Sequence, residues 1–132
     1  MSAINDLKHL VETFQRDLEL AKELESSNPE DSLAIKLAVV GFSYNSPTEE
    51  WAKGHYDFVK SRVDRDYHDA ELSWYGENSE NVKFFFALCI GYLLGLYAQD
   101  KISDNEFKVA EVQISGLIMA ELPRITAHKL SH

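Results

Sequence analysis

The sequence predicts an all-α protein: a single compact bundle of about five helices, with the second and fourth at its centre. Three observations carry this. Helix-capping signals stand at the heads of apolar patterns. The apolar residues recur at spacings of three and four. No alternation at period two is sustained, and no Asn-Gly or Asp-Gly hairpin signal occurs.

The first helix is expected over about Ala3 to Glu25. Ile4, Leu7, Val11, Phe14, Leu18 and Ala21 form one stripe, widened by Leu10 and Leu24. Asp6, Lys8, Glu12, Arg16, Asp17, Glu19, Lys22 and Glu23 fall between them and read as a solvated face. The second helix is expected over about Pro29 to Phe42. Asn28 would cap it, Pro29 would take its first position, and Gly41 with Ser43-Tyr44-Asn45 would end it. From Leu33 onward its only charge is Lys36, as suits a helix surrounded by core.

The third region starts at Ser46-Pro47-Thr48-Glu49, which has the form of a capping box. Trp51, His55, Phe58, Val59, Val63, Tyr67, Ala70 and Trp74 then keep helical spacing to Tyr75, as one long helix or two with a break. The fourth helix, about Glu80 to Gln99, contains the longest apolar run, fifteen residues from Phe84 to Ala98. A spanning helix needs ~20 apolar residues, so a core helix is expected. Gly91 and Gly95 share a face there and predict a tight crossing with a neighbour. The fifth helix, about Asp104 to Leu122, opens with the capping box Ser103 to Glu106. Phe107, Ala110, Ile114, Leu117 and Ile118 line it, Val109 and Val112 broaden the stripe, and Pro123 should stop or kink it. Residues 124–132 are expected to fray.

Chain length bounds the organisation. At 132 residues, one domain over 1–132 is expected, large enough to bury a core without staples. The lone Cys89 allows no intrachain disulfide, and the N-terminal stretch has no basic-then-apolar signal pattern, so a cytoplasmic setting is the expectation. Twenty-two acidic residues against thirteen basic ones give a net charge of −9. That field disfavours nucleic-acid phosphates and anionic membranes, and it favours basic protein partners.

Chemical motifs are sparse. Asp64, His68 and Glu71 share one side of the third region, but Asp64 and Glu71 are ~10.5 Å apart along a helix axis, too far to share one ion easily. Asp64-Arg65-Asp66-Tyr67-His68-Asp69 lacks the glycine and the glutamate of a calcium loop. Cys89 stands among Phe, Leu and Ile, as a packed thiol would. No phosphate-cradling loop is present. No cofactor, metal site or catalytic residue is expected.

One segment stands out. Between Asp57 and Glu80, seven acids face only Lys60, Arg62 and Arg65. Trp74, Tyr75 and Tyr67 sit among them. Aromatic anchors ringed by like charges suit a surface that steers and registers a basic partner. Asp64, Asp66, Asp69, Glu71, Trp74 and Tyr75 are therefore the expected partner-binding residues. The expected function is a stoichiometric blocker of a basic protein, such as an immunity protein or antitoxin facing a nuclease-type toxin, or a phage-type inhibitor. Two other classes fit the same sequence: a small helical enzyme or metal-binding protein using His55 and His68, and a homo-oligomeric scaffold paired through its first helix.

Overall fold

The computed structural model describes residues 3–23, 32–69 and 79–126, with side-chain detail for 6–23, 32–64 and 80–125. Among the described residues there are six helices and no strand. They are α1 (Ala3–Glu23), α2 (Leu33–Ser43), α3 (Glu49–Gly54), α4 (Tyr56–Asp69), α5 (Ser79–Ala98) and α6 (Asp104–Thr126). The all-α bundle expected from the sequence is therefore present. Its count is six because the third region divides at His55, where the backbone leaves helical geometry (φ −101°, ψ 10°). The expected continuation to Tyr75 lies outside the described residues.

Burial explains the arrangement. α2 has few polar positions and hides Leu37, Ala38 and Phe42 completely or nearly so. α5 does the same with Phe85, Leu88, Leu93 and Leu94. These two pack on each other and on α1 and α4, and α5 also packs on α6. Glu80–Ala98 is apolar and long enough to cross a membrane by composition, and most of it is buried within the bundle. α1 contributes Leu7, Leu10, Val11, Phe14, Leu18 and Ala21, all buried, with Phe14 edge-on to Phe85 at 5.6 Å between centroids.

Glycine sets the α2–α5 crossing. A Cβ on Gly91 would lie 2.6 Å from the carbonyl carbon of Ala38, and one on Gly41 would lie 2.9 Å from the backbone nitrogen of Tyr92. Each helix therefore offers the other a position where only hydrogen fits. Gly41 is part of this contact and not the helix terminator expected from the sequence. Past it, α2 runs to Ser43.

Several helix ends differ from expectation for identifiable reasons. The cap of α2 is Ser32, whose hydroxyl accepts from the Ile35 amide at 3.3 Å. Asn28 and Pro29 lie outside the described residues. Thr48, not Ser46, caps α3, accepting from the Trp51 amide at 3.0 Å. Ser46 is instead turned back to the end of α2, where its hydroxyl donates to the Phe42 carbonyl. The α6 capping box forms as expected: the Ser103 amide donates to Glu106 and the Glu106 amide to Ser103, both at 3.1 Å. Pro123 does not end α6. The helix continues to Thr126 because Ile125, beyond the proline, is fully buried and Leu122 packs on the core.

Two side-chain placements also depart from expectation. Val109 and Val112 do not broaden the core stripe of α6. They are exposed, at 48% and 75%, because Phe107, Ala110, Ile114, Leu117, Ile118 and Ile125 already fill the inward side. Asp17 does not lie on the solvated face of α1 but is completely buried. Its carboxylate accepts from Thr13 Oγ1 at 2.8 Å and from the Tyr44 hydroxyl at 2.5 Å, which ties α1 to the end of α2.

Candidate functional site: the acidic face of α4

The face begins with the local turn that launches it. Thr48 starts α3, Glu49 and Glu50 occupy its first turn, and the turn at His55 redirects the chain into α4. His55 is held there by its Nδ1–H, which donates to the Trp51 carbonyl at 2.8 Å. That carbonyl can only accept, which fixes the protonated nitrogen. The Trp51 ring stacks on buried Phe42 (5.0 Å, 6° between planes), and His55 leans on Trp51 at 4.1 Å. Phe58 meets His55 edge-on at 6.3 Å. Trp51, His55 and Phe58 are half-buried, so this aromatic row anchors α3 and α4 to α2 and leaves an edge at the surface.

α4 then separates its residues by side. Val59 and Val63 are buried, whereas Asp57, Ser61 and Asp64 are exposed at spacings of four and three. Asp57 and Asp64 thus stand two turns apart on one outward stripe. Arg62, which the sequence set against these acids, turns the other way. Its guanidinium carbon lies 4.9 Å above the Phe107 ring and 5.8 Å from that of Tyr97. Withdrawal of this cation onto aromatic faces leaves the outward stripe more negative than composition alone implies.

Of the six expected partner-binding residues, Asp64 is exposed on this stripe. Asp66 and Asp69 belong to α4, and their side chains lie outside the described residues. Glu71, Trp74 and Tyr75 lie outside them entirely, as does the side chain of His68. The structure adds Asp57, Glu49 and Glu50 as exposed acids near the aromatic edge. The sequence placed Trp51 and Phe58 on the core stripe, although Glu49 and Glu50 directly before Trp51 were a legible signal of an exposed edge.

Other reactive groups are structurally engaged. Burial pushes the Cys89 thiol well above its ordinary pKa, so it stays protonated in the core. Burial, with the hydrogen bond to Asp17, raises the Tyr44 phenol. Arg16 donates to the same phenol at 3.0 Å. Among the described residues, no three His, Cys, Asp or Glu side chains gather closely enough to hold a metal ion. The apolar stripe of α1, expected to pair with a copy of itself in the scaffold reading, is buried in the protein's own core. Comparison with protein families, curated proteins and solved structures found no match to this chain.

Proposed function

We propose that this protein is an acidic binding module that occupies a basic protein partner stoichiometrically, as an immunity protein, antitoxin or phage-type inhibitor would. The observation that carries the reading is the outward stripe of α4. Asp57 and Asp64 project from it while Arg62 is turned away onto Phe107. A net charge of −9 supplies the long-range attraction, and the half-buried aromatic edge of Trp51, His55 and Phe58 supplies apolar area beside it. Exposed carboxylates of this kind act mainly on association rate and partner choice. A blocker needs no reacting group, since occupying the partner's surface is its whole activity.

The test is charge reversal on a helix that tolerates it. Asp57→Lys combined with Asp64→Lys changes exposed positions, so the variant should fold with the parent's helical circular dichroism. The parent, immobilised and exposed to lysate of its native host, should retain a basic protein that high salt removes. The double variant should retain less than a tenth as much. Equal retention by the folded variant would sink the proposal, and so would recovery of an acidic partner.

A further inference from the structure

The outward side of α6 is unlike the other exposed helix faces. Its exposed positions from 109 to 123 are Val109, Val112, Gln113, Ser115, Gly116, Met119, Ala120 and Pro123, and none is charged. The exposed positions of α1, by contrast, include Lys8, Glu12, Arg16, Glu19, Lys22 and Glu23. The apolar members are prominent: Val112 is 75% exposed, Met119 61% and Val109 48%. A chain with net charge −9 has charge to place almost anywhere, yet two heptads of this face carry none.

The spacing identifies what the face fits. Val109, Val112, Gly116, Met119 and Pro123 follow one another at three, four, three and four residues. That is the seam by which one helix packs knobs into the holes of another. The inward face of α6, with Phe107 and Ile114, is a separate set already buried in the bundle. Among the described residues, the seam is therefore left uncovered once the core has formed.

We propose that this seam is the interface for a second copy of this chain, with the two α6 helices packed antiparallel across a two-fold axis level with Ile114. In that register Val112 of each copy lies opposite Gly116 of the other, and Val109 opposite Met119. A large side chain meets a small one at the first pair of positions. A Cβ built on Gly116 meets nothing within 4 Å, so the space that Val112 of the second copy would enter is open. The helix dipoles select the antiparallel direction. The first turn of α6 is acidic, with Asp104 and Glu106, whereas Arg124 in the last turn is already paired with Glu121 and Glu12 of its own chain. Antiparallel packing opposes the two dipoles, whereas parallel packing aligns them. Such a symmetric patch closes on itself and leaves no open end for a filament.

Area sets the strength. A helix pair of two heptads buries on the order of 1,000 Å² in all, at the low end for a specific contact. A weak, reversible monomer–dimer equilibrium follows. Both copies are strongly acidic and the seam is uncharged, so added salt should tighten the dimer by screening the repulsion. Salt acts in the opposite sense on capture of a basic partner by α4, so the two surfaces can be told apart in one preparation.

Sedimentation equilibrium of the full chain from 5 to 500 µM, at low and high salt, tests this directly. The parent should show a monomer–dimer equilibrium whose dissociation constant falls as salt rises. Val112→Glu, at an exposed position that leaves the monomer intact, should raise that constant at least tenfold. A parent that stays monomeric at the highest concentration overturns the proposal. So does a dimer that Val112→Glu leaves unchanged, or one that salt dissolves. Direction is read by oxidative crosslinking, with Cys89 fully buried and silent. Gln113→Cys, one residue from the axis, should crosslink readily. Asp104→Cys should not, because the two copies of that position would be ~30 Å apart along the helices at ~1.5 Å per residue. Equal crosslinking at both positions would show a parallel pair and contradict the arrangement.

Discussion

Replacing glycine by alanine should have opposite signs at two helical positions of this protein, and the reason lies in what surrounds each. At Gly91 the added methyl would lie 2.6 Å from the carbonyl carbon and 2.7 Å from the Cα of Ala38. Those are backbone atoms of α2 and cannot swing aside. Helices α2 and α5 must part by about an ångström at the centre of the core, loosening the packing of Leu37, Ala38, Leu88 and their neighbours. Overpacking of this kind costs up to ~3 kcal/mol. Alanine's better helix propensity returns ~1 kcal/mol. The net is a loss of about 2 kcal/mol. At Gly116 the same methyl meets nothing within 4 Å, so only the propensity gain of ~1 kcal/mol remains. Urea denaturation followed by far-ultraviolet circular dichroism, at a few micromolar to keep the chains monomeric, measures both. In thermal terms Gly91→Ala should lower Tm by roughly 8 °C and Gly116→Ala should raise it by roughly 4 °C. If Gly91→Ala is as stable as the parent, the close α2–α5 approach is wrong. If both substitutions shift stability in one direction, the argument from local space fails.

Other expectations follow from single contacts. Asp17→Ala removes the shared acceptor of the Thr13 and Tyr44 hydroxyls, of which Thr13 keeps the Leu10 carbonyl and Tyr44 is open to water, and should cost about 2 kcal/mol in urea denaturation, whereas Asp17→Asn, which keeps an acceptor, should cost less. A loss below half a kcal/mol for the alanine variant would place Asp17 in solvent after all. The Tyr44 phenol is raised above its ordinary value of 10.0, by burial first and the Asp17 bond next. Its folded pKa exceeds the unfolded one, so the stability it contributes is complete below pH 10 and is lost as pH climbs through the raised value. Tyr92, by burial, and Tyr97, by its hydrogen bond to Asp104, are raised too, so spectrophotometric titration near 295 nm should show several late-ionising tyrosines, and Tyr44→Phe should remove one of them. Asp100 ends α5 in the left-handed region (φ 58°), where the Lys101 amide donates to the Leu96 carbonyl and the Asp100 amide to that of Tyr97. This is the position glycine favours, so Asp100→Gly should stabilise by about 0.5–1 kcal/mol, and a destabilised variant would contradict the motif.

The helices were legible because their signals are local. Ser103 and Glu106 face each other within one turn, and the stripe of α1 and the apolar run of α5 announce burial without any tertiary information. Gly91 and Gly95 pointed to a close helix crossing for the same reason. Departures arose where a side chain had two possible employments. Ser46 could open α3 or close α2, and only the folded chain shows its hydroxyl on Phe42. Pro123 carries a stop signal that the burial of Ile125 overrides. Asp17 was misplaced by its charge, although Leu10, Phe14 and Ala21 at spacings of seven, three and four put it on the apolar side. Val109 and Val112 failed in the reverse sense, because hydrophobicity does not say which of two faces is inward. The acidic segment after Asp57 was visible in composition. The inward turn of Arg62 was not, since it depends on Phe107, forty-five residues along the chain.

The proposed role of the acidic face is to block a basic partner one to one. Isothermal titration of the partner recovered from the native host tests it most directly, carried out at 50 and 300 mM salt with parent and with the Asp57→Lys, Asp64→Lys variant. One partner per chain is expected, with an affinity that falls at least tenfold over that salt range and a variant that has lost most of the low-salt affinity. An affinity indifferent to salt, or a variant that binds as the parent does, would contradict it.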